Sequence, residues 1–184
     1  ALCPIDFEDG RHLIDDDLAA VLGTIPAGVR LTSFIDACHS GSVSRFGLGG
    51  PPLRAAADER PRFIVADEDL VDAHLAFRAS HGSRAAGARQ RTAGRDTLFS
   101  ACRSTEVAWE SNGQGDFTRL ATPLLARSGP GLTHDGFLAQ VRAAFGASAR
   151  QHPELYPHGT GSLQLLSAEP GREGRGIALL ALDR

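Results

Sequence analysis

The stretch IDACHSGS, residues 35 to 42, sets Cys38 directly before His39 at the end of an apolar run. A thiol attacks a carbonyl only as thiolate, so it needs a base, a cation or a helix N-terminus to lower its pKa. Consecutive residues at a strand end point to opposite sides, so His39 reads as a polar turn residue and not as the base. The small run His39, Ser40 and Gly41 instead offers backbone N–H groups that suit a developing oxyanion beside the sulfur. Two readings of Cys38 are open on chemistry alone: a nucleophile, or the small buried hydrophobe that a lone cysteine often is.

The elements around the motif argue for an α/β sheet. Leu18, Val21, Leu22 and Ile25 follow helical spacing behind an acidic cluster, and Pro26 to Gly28 close the helix. The run VRLTSFI (29–35) is short, β-branched and little alternating, as a buried parallel strand is. Cys38 therefore falls at a strand's carboxyl end, the edge where open α/β sheets bind ligands. Residues 45–95, rich in Gly, Pro, Ala and Arg, read mostly as a long exposed loop, with 63–77 a short strand or helix inside it. DTLFSAC (96–102) is a second buried strand. GDFTRLATPLLAR and THDGFLAQVRAAFGASAR are helical, the latter capped by Thr133 or Asp135. GSLQLLS and GIALLALDR supply two more strands.

Bulk properties narrow the partners. With 184 residues, 19 basic against 22 acidic and a net charge of −3, one domain is expected, with no broad footprint for nucleic acid. No apolar stretch approaches the roughly 18 to 20 residues that span a bilayer, and the N-terminus lacks a secretion-signal layout. A soluble, cytoplasmic protein with no membrane partner is expected. Cys3, Cys38 and Cys102 are too few and too irregular for a disulfide framework or a structural zinc site. No cofactor is expected.

DACHSG after GVRLTSFI resembles the cysteine motif of the metacaspases and bacterial orthocaspases, in the caspase-like cysteine peptidase family. CPIDF, LIDDDL and PAGVRLT before it, and LFSACRSTEVAWE and GQGDFTRLATPLL after the loop, resemble the flanking segments of that family in order. The likeness implies a caspase-like, mostly parallel sheet flanked by helices, here as one domain over 1–184. Residues 1–45 would end the large-subunit region, 46–95 would link, and 96–184 would be the small-subunit region.

It also implies a Cys/His dyad that cleaves peptides after basic residues, mainly arginine, with Cys38 as nucleophile. Asp36 would line the pocket for the substrate's basic side chain. A carboxylate two residues from the sulfur on one side of an extended strand suits a bidentate guanidinium pair, while a turn-capping aspartate is the other reading. Ala108, Trp109 and Glu110 match the strand that pairs with bound peptide. The acid at 110, where Asp-specific caspases carry arginine, suits a basic residue; a solvated surface charge is the alternative for it.

Two departures from the pattern shape the remaining expectations. The family's catalytic histidine lies about 50 residues before the cysteine, and only 37 residues precede Cys38, with His12 the sole histidine among them. The His81 loop follows the cysteine. The base is therefore expected on a preceding segment, a removed or separately numbered piece that also carries the first strands; a catalytically inactive binding or regulatory module is the rival. Asp15 and Asp16 match the paired aspartates of the calcium site in many relatives. Arg45 stands where an acid is often found, so those aspartates read as helix N-terminal acids and calcium is doubted. Arg78, Arg84, Arg89, Arg91 and Arg95, exposed among small residues, are candidates for self-cleavage by an arginine-directed peptidase.

Overall fold

The structure, a computed structural model, describes residues 2–3, 6–26, 29–38, 56–64, 67–81, 96–157 and 160–165. In chain order its elements are α1 (Asp15–Leu22), β1 (Leu31–Ile35), β2 (Glu59–Pro61), α2 (Glu68–His81), β3 (Asp96–Ser100), β4 (Trp109–Ser111), β5 (Gln114–Gly115), α3 (Asp116–Ala126), α4 (His134–Phe145) and β6 (Glu154–Tyr156). They fall into two compact units, one from Ala1–Arg30 with Ile64–Asp96, the other from Leu31–Phe63 with Thr97–Asp183.

In the larger unit the twofold alternation of β1 carries through the residues that follow it. Thr32 meets His134 of α4 at 3.3 Å, Phe34 stacks on Phe99 of β3, Asp36 reaches Thr118 of α3, and Cys38 packs on the buried core. β1, β3 and β6 form one sheet in that order, with β3 and β6 antiparallel; β2, β4 and β5 form a second, antiparallel throughout. Phe34, Phe99 and Phe137 make the centre of the core, with centroids 5.0 to 5.8 Å apart. Phe99 and Phe137 are fully buried, so truncating either to alanine costs about 3–5 kcal/mol. Asn112 and Gly113, both at positive φ, turn β4 into β5 as a two-residue hairpin requires. The hydroxyl of Thr133 accepts the N–H of Gly136 and caps α4, settling the choice between Thr133 and Asp135.

The smaller unit holds α1, a 3-10 turn at Phe7–Asp9 and α2. Gly10, at φ +79°, closes that turn so near α2 that a Cβ there would lie 2.3 Å from the Ala73 carbonyl. The His74 ring takes up the Gly10 carbonyl at 2.8 Å, and Arg78 forks onto both oxygens of Asp17 at 2.6 and 2.8 Å.

Three local expectations change. α1 stops at Leu22 and leaves Ile25 outside it, because the residue before a proline avoids the helical region; Val21 is 64% exposed. The stretch expected to be mostly loop contains β2, and the strand or helix allowed at 63–77 is the 14-residue helix α2, which runs on to His81. Asp67 caps α2 through the N–H of Leu70, and Val71 and Leu75 on it are exposed. Within GSLQLLS, residues 161–165 form a turn with a single bridge from Gln164 to Thr133, not a strand. The run GIALLALDR lies outside the described residues.

Candidate active site

β1 delivers Cys38 half-buried at its carboxyl end. The main-chain N–H of Cys38 donates to the Arg62 carbonyl at 3.3 Å, and its Sγ accepts the N–H of Ala108 at 3.0 Å. The thiol is held below its ordinary pKa, first by a hydrogen bond with the Cys102 thiol. Desolvation opposes this, while the Ala108 N–H and the backbone and charge of Arg62 assist it. Thiolate character at Cys38 thus has sources in its own unit besides any histidine.

Asp36 is buried, with 7% of its side chain exposed. Its Oδ2 accepts both the N–H and the hydroxyl of Thr118, at 2.8 and 2.7 Å, and so caps α3 from outside the helix. Its Oδ1 has no hydrogen-bond partner among the described residues. Burial raises the Asp36 pKa, against the Thr118 bonds and the Arg62 charge, which lower it. Gly115 lies so close that a Cβ would fall 2.0 Å from Asp36 Oδ2.

Between the two acids expected to hold a basic side chain lies the guanidinium of Arg62. Its Nε donates to the Asp36 carbonyl at 2.7 Å and stands 3.7 Å from Asp36 Oδ1; its Nη1 donates to Glu110 Oε2 at 3.1 Å. Glu110, 15% exposed, is therefore a partner in a partly buried ion pair and not a solvated surface charge. Ala108 contacts Cys38 and Arg62 through its backbone. Trp109 is buried, with the Arg150 guanidinium 4.2 Å above its ring and its N–H given to Gln151. Gln151 also donates to the Ala101 carbonyl and so ties β4 to the end of β3.

Cys38, Asp36, Ala108 and Glu110 are thus brought together, with Trp109 backing them. His39, Ser40, Gly41, Arg84, Arg89, Arg91 and Arg95 lie outside the described residues. Arg78 lies in α2, paired with Asp17. Asp15 and Asp16 open α1. His12 packs in the smaller unit, its ring 5.1 Å from that of His74. Arg62, Cys102, Gly115, Thr118 and Gln151 escaped the sequence reading.

An α/β frame with a half-buried thiol at a strand's carboxyl end, and beside it two acids that flank a guanidinium, has the arrangement of a caspase-like fold. The comparisons show what the chain is similar to. The family profile "Metacaspase, peptidase C14 domain" matches residues 1–46. Metacaspase-1 of Arabidopsis thaliana is 51% identical over 43 residues, 23% of this chain and 12% of that protein. Metacaspase-1 of Mycosarcoma maydis is 23% identical over 177 residues, 84% of this chain and 44% of that protein. The solved structure of protein GSU0716 from Geobacter sulfurreducens matches with a TM-score of 0.57 at 20% identity, over 86% of this chain and 55% of that one, a likeness of fold. These matches make the chain similar to the metacaspases, most closely over its first 46 residues, and it spans less than half the length of these two relatives.

Proposed function

We propose that this chain carries the nucleophile and the substrate pocket of a cysteine endopeptidase that cleaves after basic residues, mainly arginine. One observation carries the specificity: a guanidinium fits between Asp36 and Glu110 beside the Cys38 thiol. Asp36 Oδ1, buried and without a hydrogen-bond partner among the described residues, favours a cation beside it, whose charge offsets the desolvation that the Thr118 bonds to Oδ2 leave. Sγ attacks the scissile carbonyl and the Cys38 N–H holds the oxyanion; the carbon–nitrogen bond breaks, the amine leaves with a proton from the dyad histidine, and water hydrolyses the thioester to a carboxylate and free thiol.

The dyad histidine, in this reading, comes from a segment outside residues 1–184, and the reaction runs in the cytoplasm without calcium. Self-processing in the arginine-rich stretch, at Arg84, Arg89, Arg91 or Arg95, belongs to the same activity. The test is turnover of a fluorogenic peptide ending in arginine by the natural full-length protein, with and without calcium. Cys38→Ala abolishes turnover, and Asp36→Asn lowers kcat/KM on the order of a hundredfold for arginine but not for a neutral residue. Folded full-length protein that neither cleaves nor is alkylated at Cys38 by an arginyl probe is a binding module instead.

A further inference from the structure

One buried amide joins the end of β3 to the start of β4. Gln151, fully buried, accepts the Trp109 N–H on Oε1 at 2.8 Å and donates from Nε2 to the Ala101 carbonyl at 3.1 Å. Each bond lies one residue from a group on the nucleophile. Ala108, before Trp109, gives its N–H to Cys38 Sγ at 3.0 Å, and Cys102, after Ala101, is hydrogen-bonded to the same sulfur. β3 and β4 lie in different sheets, so no strand ladder sets the spacing of Cys102 and Ala108. The neighbours of Gln151 grip the same segment. The Arg150 guanidinium lies over the Trp109 ring while bonding Glu59 and Asp116, and the His152 N–H and ring each meet the Glu106 carboxylate at 2.7 Å. The Pro153 carbonyl takes Arg142 Nε at 2.9 Å, which anchors this clamp to α4. An amide in a core is disfavoured unless both its ends are bonded, and here both bonds go to backbone beside the thiol.

We infer that Gln151 is a positioning residue for the nucleophile: its amide spaces Cys102 and Ala108 so that both meet the Cys38 sulfur at once. The inference rests on the peptidase reading for its effect on turnover, and adds to that reading the part that holds the thiol ready. With the amide in place the Cys102 thiol and the Ala108 N–H both stabilise the thiolate form of Cys38. Without it the two segments part, and the sulfur loses one donor or both. The amide bonds to backbone alone, so its loss leaves Asp36 and Glu110 in the pocket. The groups that face the thiol among the described residues, Cys102 and Arg62, also stay in the chain.

The experiment measures, on the natural full-length protein, the pH at which iodoacetamide alkylates Cys38 at half its maximal rate, with the labelled site read by mass spectrometry, beside kcat and KM for an arginyl fluorogenic peptide. Gln151→Met, of similar length without the amide, raises that midpoint by about one pH unit, roughly a tenfold loss of thiolate at neutral pH. It lowers kcat by a similar factor and leaves KM within about twofold. Gln151→Asn, one methylene shorter, bonds one of the two segments and shifts the midpoint less; it keeps an amide in the core, so a folded variant is at hand where Gln151→Met unfolds. Val141→Ala loosens the same core and touches neither bond; it lowers the urea midpoint and leaves the alkylation midpoint where it was. In Cys102→Ala, Gln151→Met adds less than in wild type, because one of the two donors it aligns is already gone. Unshifted alkylation midpoints in the folded Gln151 variants, or an equal shift in Val141→Ala, overturn the inference and leave the peptidase reading in place. Wild type that is alkylated at Cys38 but cleaves no arginyl peptide overturns the peptidase reading, and the midpoints still decide the role of Gln151.

Discussion

Asp36 gives one oxygen to Thr118 and keeps the other for the pocket: Oδ2 takes the Thr118 N–H and hydroxyl at 2.8 and 2.7 Å, and Oδ1 faces Arg62. A carboxylate locked at a helix N-terminus cannot swing, so the free oxygen is aimed by α3. Thr118→Val removes one of the two bonds and leaves a buried acceptor less satisfied. It costs about 1–2 kcal/mol of stability, read as a lowered midpoint in urea, and raises KM for arginyl peptides more than for neutral ones.

The pH dependence of binding and of stability run in opposite directions at Asp36. Burial raises its pKa in the folded protein, so the folded state favours the neutral acid. That contribution to stability is present below the ordinary carboxylate range and is lost as pH rises through the raised value. In the proposed peptidase, arginine recognition needs the anion and is lost as pH falls through that raised value. The kcat/KM profile for an arginyl peptide shows this acid limb, and Asp36→Asn, already crippled, lacks it.

Cys102 is the largest influence lowering the Cys38 pKa, although it is fully buried and far from the motif in sequence. Cys102→Ala removes the donor and raises the Cys38 pKa; Cys102→Ser restores a donor and most of the reactivity. The readout is the pH at which iodoacetamide alkylates Cys38 at half its maximal rate, a quantity that loosened packing alone does not restore in the serine variant.

Arg78, expected as a cleavage point in an exposed loop, is instead helical and forked onto Asp17. The pair holds the Asp17 pKa down, with the Arg78 bond the main cause, so its contribution is present at neutral pH and is lost as pH falls through that lowered value. Proteases require extended backbone, so native protein stays uncut after Arg78. Asp17→Asn increases cleavage there by added trypsin, measured by mass spectrometry over a time course.

What the sequence made legible was local. Two-residue alternation placed Asp36 and Cys38 on one side of β1, and the spacing in GDFTRLATPLLAR and THDGFLAQVRAAF marked α3 and α4. What it concealed was remote pairing. Arg62 meets Asp36 across 26 positions and Glu110 across 48, Thr118 meets Asp36 across 82, and Gln151 joins Trp109 across 42. No periodicity encodes such partners, and the Arg62 segment lies where Gly, Pro and Arg composition reads as linker.

Gly115 shows how tightly that remote geometry is built. Its backbone, at φ −59° and ψ 134°, suits any residue, so alanine there is not strained by conformation. The obstacle is Asp36: a Cβ would fall 2.0 Å from Oδ2 and 2.6 Å from Cγ, and one of the two must move. Gly115→Ala therefore displaces the carboxylate from the α3 N-terminus, destabilising by about 1–3 kcal/mol as overpacking does, and weakens arginine preference without touching Cys38. Asp36→Ala alone loses the cap and the pocket anion. In the double variant the clash has no partner, so the summed destabilisation falls short of the two single costs by roughly 1 kcal/mol or more. A double-mutant cycle of urea midpoints measures that coupling; strict additivity would mean that Gly115 and Asp36 are not in contact in the folded protein.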